Sequence, residues 1–266
     1  MSDVPQILTN PRADRVKAVR ALARPQARSK YRQFLVEGPQ GVREAVRYAE
    51  DRIRDIYLTP TASQDYPGIL DEATKTGAHV HLASAEVIAQ MSPDAQGVLA
   101  VVRIQTAGEV RSARLLACLE QVRDPGNAGT VIRAADAAGA DAVLLTSGSV
   151  DPYNPKVVRS TAGSLFHLPV RGGQDLSEAV AIARAGGLQV LAADGSAGLT
   201  LDQAPLASPT MWIFGTEARG LSDEARELAD AAVRIPIHGK AESLNLAMAA
   251  TVCLYASATA QREVPR

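Results

Sequence analysis

The sequence predicts an α/β protein made of two successive units, the second built on a buried parallel sheet. Three observations carry this reading. From residue 34 onward, short apolar runs alternate with helix-like stretches. In the second half those runs are continuously apolar, as strands covered on both faces are. Between the two series lies 104–114, IQTAGEVRSAR, which has no strong apolar run and reads as a linker. The chain has 266 residues, 46% hydrophobic and 21% charged. That is ordinary globular composition, with enough length for one large domain or two modest ones.

The first series runs FLVE (34–37) as strand, GPQGVREAVRYAE (38–50) as helix and IRDIYL (53–58) as strand. GILDEATKTG (68–77) is a helix stopped by Gly, and HVHLA (79–83) a strand. SAEVIAQM (84–91) is a helix with Ser84 as N-cap and Glu86 in its first turn, and VLAVVR (98–103) closes the set. The second series has strands at 115–122, 143–148, 188–194, 211–215 and 231–237. Helix-like stretches at 127–138, 154–163, 175–185, 222–229 and 242–260 separate or follow them.

Composition excludes several classes. Two cysteines, Cys118 and Cys253, cannot make a disulfide framework or a four-thiolate zinc site, and both sit in apolar runs where inert packing is expected. The four histidines have no Cys or carboxylate at zinc spacing, so no metal is expected. Aromatic residues are 4%, too few for a base-stacking platform. Leu244–Ala260 carries no charge but is short for a bilayer span and rich in Ala. It reads as a helix buried in a core or at a subunit interface, and a cytoplasmic protein without membrane contact is expected. The net charge of −1 hides an asymmetry: residues 1–54 hold twelve Lys and Arg against six Asp and Glu, a net of +6. Arg24, Arg28, Lys30 and Arg32 lie in its densest part. Such a cluster suits a phosphate backbone, and equally a solvated helix face.

Ligands of open α/β sheets bind at the carboxyl ends of strands, so the loops after the second-series strands are where chemistry is sought. After 115–122 comes RDPGNAGTVIRAADAAGA, in which Asn127 can cap the following helix and Arg133 lies about two turns along it. Its Gly126-x-x-Gly129 spacing is not the dinucleotide fingerprint. After 211–214 comes Gly215-Thr-Glu-Ala-Arg-Gly220-Leu221-Ser222. It has Leu where a P-loop has Lys, and Glu217 inside the loop would repel a triphosphate. After 231–237 comes HGKAESLN, with Ser243 and Asn245 at the mouth of the last helix. Three Gly-bearing loops with neutral polar groups suggest one composite small-molecule pocket.

These three loops resemble the three motifs of the SpoU/TrmH-type RNA 2′-O-ribose methyltransferases of the SPOUT superfamily. The stretches are DPGNAGTVIRAADAAGA (124–140), IFGTEARGLSDE (213–224) and IPIHGKAESLNLAMAATVCLY (235–255). The segment 159–170 is similar to the family's stretch between its first two motifs. FLVEG (34–38) and QGVLAVV (96–102) more loosely resemble its ribosomal-protein-like RNA-binding domain. The resemblance implies a parallel-sheet domain with a deep trefoil knot over 106–266. It implies a basic segment plus a small α/β RNA-binding domain over 1–105. It further implies S-adenosylmethionine as cofactor, a homodimer and RNA, foremost ribosomal RNA, as substrate. By motif position, Gly215, Ile235 and Leu244 would line the cofactor pocket. Asn127, Arg133, Glu217, Ser243 and Asn245 would form the polar catalytic set. Rival readings are a tRNA methyltransferase, a catalytically silent RNA binder, and a small-molecule or protein methyltransferase. The intact polar set argues against a silent binder, and the basic segment favours RNA.

Overall fold

A computed structural model describes residues 7–75, 77–105, 108, 112–216 and 220–263. The first series comprises α1 (Asp14–Ala21), α2 (Pro25–Tyr31), β1 (Gln33–Glu37), α3 (Pro39–Tyr48), β2 (Ile53–Leu58), α4 (Pro60–Asp65), α5 (Pro67–Lys75), β3 (His79–Leu82), α6 (Ala85–Met91) and β4 (Val98–Arg103). The second comprises β5 (Leu115–Leu119), α7 (Pro125–Ala138), β6 (Ala142–Thr146), α8 (Pro155–Ser160), β7 (Val170–Gln174), α9 (Leu176–Ala185), β8 (Gln189–Ala193), β9 (Leu199–Thr200), β10 (Thr210–Phe214), α10 (Asp223–Leu228), β11 (Ala231–Arg234) and α11 (Leu246–Glu263). The chain divides into two compact units, one within Met1–Thr106 joined by Tyr153–His167, the other within Ala107–Pro152 and Leu168–Arg266.

The first unit has a four-stranded sheet in the order β1-β4-β2-β3. β4 is antiparallel to both neighbours, and β2 and β3 are parallel. The basic N-terminal stretch is more than charge. It forms α1 and α2, helices that the sequence reading left out, because Val16, Val19 and Leu22 bury one stripe against Val87, Ile88 and Leu99. Ser84 caps α6 as expected, accepting from the Val87 N–H at 3.2 Å. Tyr153–His167, including α8, contributes Tyr153 and Phe166, whose rings lie 4.8 and 6.3 Å from that of Phe34. Two histidines have carboxylate partners in space: His81 Nε2 lies 2.8 Å from Asp55, and His167 Nε2 3.2 Å from Glu44.

The second unit has a seven-stranded sheet, β7-β6-β5-β10-β8-β11-β9, and every pairing in it is parallel. β5, β6 and β10 are buried at every residue, which is why they read as unbroken apolar runs. Trp212 lies wholly inside and donates its indole N–H to Ser257 Oγ at 2.9 Å. β7 and β9 were not expected. β7 is VRGGQ, with two glycines and an arginine, and β9 has two residues, so neither shows an apolar run. α11 begins at Leu246 rather than 242, because the Asn245 side chain accepts from the Ala247 and Met248 N–H groups and so starts the helix. Since all strands point one way, the loops after β5, β8, β10 and β11 gather at a single edge.

Candidate active site

The loop after β10 is shaped by close backbone contact. Thr216 and Gly220 exchange N–H···O bonds of 2.9 and 2.8 Å, which hold the two residues against each other. A Cβ on Gly215 would lie 2.3 Å from the Gly220 oxygen, so only glycine fits there. The loop after β5 enters α7 through Asp124, whose Oδ1 accepts the Asn127 N–H at 2.7 Å, with Pro125 in the first helical turn. Asp124 is therefore the N-cap, and Asn127 sits one turn in, correcting the expectation that Asn127 caps. This frees its side chain to accept from Asn245 Nδ2 at 3.1 Å. Two of the expected polar residues, 118 positions apart in sequence, thus meet.

Two cavities open at this edge and share Thr216, Gly220 and Leu246 as a common wall. The first, about 460 Å³, is lined by Ala193, Asp194 and Gly195 after β8, Phe214 and Gly215 after β10, and Ile235, Ile237, Ser243, Leu244 and Asn245 after β11. It brings together the three residues expected at a cofactor, Gly215, Ile235 and Leu244. Its size suits a nucleoside-sized ligand. Its walls combine apolar residues with Thr216, Ser243 and Asn245, and its charged residues are Asp194, Glu242 and Arg234, of which Asp194 is paired with Arg226. These residues fit S-adenosylmethionine, which carries a purine, a sulfonium and an ammonium group.

The second cavity, about 560 Å³, is lined by residues 120–124, Asn127, Leu221 and Ser222 beside the shared wall. At its base lies Glu120, 4% exposed, the residue that follows β5. Its Oε2 accepts the Ser222 N–H at 3.1 Å, and its own N–H donates to Phe214 O at 2.8 Å. Glu120 was not among the expected site residues. The available signal was a carboxylate placed directly after an unbroken apolar strand, LLACL-E.

Other expected residues fall differently. Arg133 is exposed on α7 and lines neither cavity. Glu217 lies outside the described residues. Arg24, Lys30 and Arg32 are exposed, but Arg28 is 2% exposed and donates to Leu22 O at 3.0 Å and Ala23 O at 2.9 Å. Its guanidinium closes the end of α1, which corrects its placement among solvent-facing cations. Cys118 and Cys253 are wholly buried, and burial pushes both thiols up to about 12, with Glu120 adding to the effect at Cys118. Neither is a thiolate at physiological pH, in line with inert packing. Among the described residues no group of three or more His, Cys, Asp or Glu is poised to hold a metal ion, and no helix is long and apolar enough to cross a membrane.

Comparison with known proteins agrees with this geometry. Residues 114–255 match the SpoU rRNA Methylase family, and residues 13–100 match the MRM3-like substrate binding domain. An uncharacterised tRNA/rRNA methyltransferase of Synechocystis is 35% identical over 96% of this chain and 93% of its own length. The 23S rRNA (guanosine(2553)-2′-O)-methyltransferase RlmP of Bacillus subtilis is 31% identical over 91% and 94%. Among solved structures, an AdoMet-bound rRNA methyltransferase from Sinorhizobium meliloti superposes with a TM-score of 0.83 at 28% identity, covering 98% of this chain and 99% of that one. The SpoU methyltransferase AviRb from Streptomyces viridochromogenes, in complex with AdoMet, gives 0.83 at 29% identity, covering 96% and 100%. With its three motif loops gathered at one sheet edge around a nucleoside-sized cavity, the chain belongs to the SpoU/TrmH family of RNA 2′-O-ribose methyltransferases.

Proposed function

We propose that the chain transfers a methyl group from S-adenosylmethionine to a ribose 2′-hydroxyl of ribosomal RNA. The single observation carrying this is the pair of cavities that share Thr216, Gly220 and Leu246. One suits a nucleoside donor, and the other presents polar groups to an acceptor. Bound in the first, the donor supplies a methyl group on a positively charged sulfur.

The chain's own residues hold and align. Gly215, Ile235 and Leu244 line the donor cavity, and Ser243 adds a hydroxyl there. The Asn127–Asn245 bond ties the loop before the donor cavity to the helix beside the acceptor cavity. Alignment of donor and acceptor with exclusion of water is worth about 7–11 kcal/mol in well-oriented reactions. In this reading residues 106–266 perform transfer and residues 1–105 capture RNA, with Arg24, Lys30 and Arg32 as exposed cations for phosphates. Glu217 stays in the polar set by motif position alone. The knot implied by the resemblance and a cytoplasmic location belong to the same reading.

A homodimer is part of it as well. α11 exposes Met248, Val252 and Tyr255, and Tyr255 reaches across to Ala137 O on α7 at 3.4 Å. Arg133 is one turn before Ala137 on that helix. A second copy covering this face would carry Arg133 toward the partner's acceptor cavity. There a permanently protonated guanidinium would bind the phosphate beside the target ribose rather than remove a proton.

The test is incubation with radiolabelled donor and either ribosomal RNA or tRNA from cells lacking the protein. Label in ribosomal RNA, recovered as a 2′-O-methylnucleoside, is expected. Label in tRNA alone would transfer the reading to tRNA. No label in either, together with no calorimetric binding of donor, would end it. Arg133→Ala is expected to lose transfer while donor affinity stays near normal. Equal loss of both would make Arg133 a structural residue.

A further inference from the structure

We infer that Glu120 is the proton acceptor for the ribose 2′-hydroxyl. The inference rests on the methyl-transfer reading above and adds the group that activates the nucleophile. A hydroxyl attacks poorly while it keeps its proton, so a base within hydrogen-bond reach is required. Arginine cannot serve, since the guanidinium stays protonated. Among the described residues, Glu120 and Asp124 are the acids that line the acceptor cavity. Asp124 stands at the exposed rim, and its Oδ1 is engaged with the Asn127 N–H at the start of α7. Glu120 lies at the base, 4% exposed.

The Glu120 carboxylate is held on one side only. Oε2 accepts the Ser222 N–H, and the residue lines the cavity. No ion pair neutralises it among the described residues, unlike the buried carboxylates of the first unit. It sits between the ends of β5 and β10, directly behind the loop that forms the wall shared with the donor cavity. Among the described residues, the charged groups that line the cavity with it are Arg123 and Asp124 on the following loop, and the neutral Cys118 thiol lies on its own strand.

The step balances. The ribose O–H bond breaks and its proton goes to Glu120 Oε1. The freed oxygen pair forms the O–CH3 bond as the S–CH3 bond breaks, and that electron pair stays on sulfur. The carboxyl then returns its proton to solvent.

The test uses the full-length protein with ribosomal RNA from cells lacking it. Glu120→Gln retains an amide oxygen to accept the Ser222 N–H but cannot take the proton. Single-turnover transfer is expected to fall about a hundredfold to ten-thousandfold. Binding of S-adenosylhomocysteine by calorimetry, retention of ribosomal RNA without donor, and thermal unfolding should stay close to wild type. Across about pH 4 to pH 9 the wild-type rate should fall on the acidic side, and that limb should vanish in Glu120→Gln. Glu120→Asp should be slower yet keep the limb, since it keeps a carboxylate. Transfer by Glu120→Gln within about threefold of wild type would overturn the inference. So would a slow Glu120→Gln that retains the acidic limb. Wild-type protein that binds neither donor nor labels RNA would instead overturn the underlying reading.

Discussion

The two units hold their buried carboxylates in different ways. In the first, each is tied to a cation. Glu37 pairs with Arg159, and Asp55 lies 2.8 Å from His81 Nε2 and 3.1 Å from Arg54 Nε. In the second unit, the buried Glu120 accepts the backbone N–H of Ser222 instead. A cation fixes a carboxylate to the architecture and cancels its charge. A single backbone amide orients it and leaves an oxygen for other chemistry. The glycines that follow the strands differ in the same sense. Gly38, after β1, is needed for its backbone angles, with φ +83° and nothing within 4 Å of a Cβ. Gly215, after β10, is needed for space, because the loop backbone returns against it.

The largest effect is therefore expected at Gly215. An alanine there meets backbone atoms of Gly220 and Leu221 rather than a side chain that could swing away. Gly215→Ala is expected to cost about 3 kcal/mol or more and to abolish donor binding, since the displaced loop is the wall of that cavity. Gly38→Ala should cost about 2 kcal/mol through its backbone conformation alone and leave donor affinity unchanged. Denaturant unfolding and calorimetry on both variants read the contrast. Normal donor affinity in Gly215→Ala would break it.

Next in size is Arg159→Ala. It leaves Glu37, with a side chain 5% exposed, without its guanidinium, although Ser92 Oγ still donates to it. Removing one partner of a buried pair costs about 3–5 kcal/mol. Arg159 is 34% exposed, so water replaces part of the loss and about 2 kcal/mol is expected. Adding Glu37→Gln should recover part of it, with a coupling of about 1 kcal/mol. Glu120→Gln should cost less stability than Arg159→Ala, because its partner is an amide and not a charge. If the order is reversed, the distinction between architectural and reactive carboxylates fails.

How far this was legible in the sequence depends on the range of the interactions. β2 and β4 lie where 53–58 and 98–103 were read, because a buried strand is a local apolar run. α1 and α2 were hidden because three apolar positions, Val16, Val19 and Leu22, are dispersed among cations. Which arginine faces inward was not legible either. Arg28 and Lys30 lie in the same short helix and differ in the face they occupy. At the site, loop composition singled out Ser243 and Asn245 and the motif resemblance supplied Gly215, Ile235 and Leu244, and all five line one cavity. The meeting of Asn127 with Asn245 depends on β5 lying beside β10 and on the packing of α7 against α11, which no local pattern encodes. Joining of Tyr153–His167 to the first unit is equally non-local.

The smallest effect is the pH dependence at Asp194, which combines both kinds of support. Burial alone would raise its carboxyl. Hydrogen bonds from Arg226 Nε at 2.8 Å, Ser196 Oγ at 2.7 Å and the Ser196 N–H at 2.8 Å, with the Arg226 charge, outweigh burial and hold it below the usual carboxylate range. A folded value below the unfolded one means the ionised form stabilises the fold. That contribution is fully present above the unfolded carboxylate value, near about pH 4, and is lost as pH falls through the lower folded value. Arg226 is 42% exposed, so the contribution is discounted to below about 1 kcal/mol. Asp194→Asn should therefore lower unfolding stability slightly at neutral pH, and the gap to wild type should close below about pH 3. A gap that widened on acidification would mean that Asp194 behaves as a desolvated carboxyl. Its neighbours in the donor cavity would then be oriented by the fold and not by its charge.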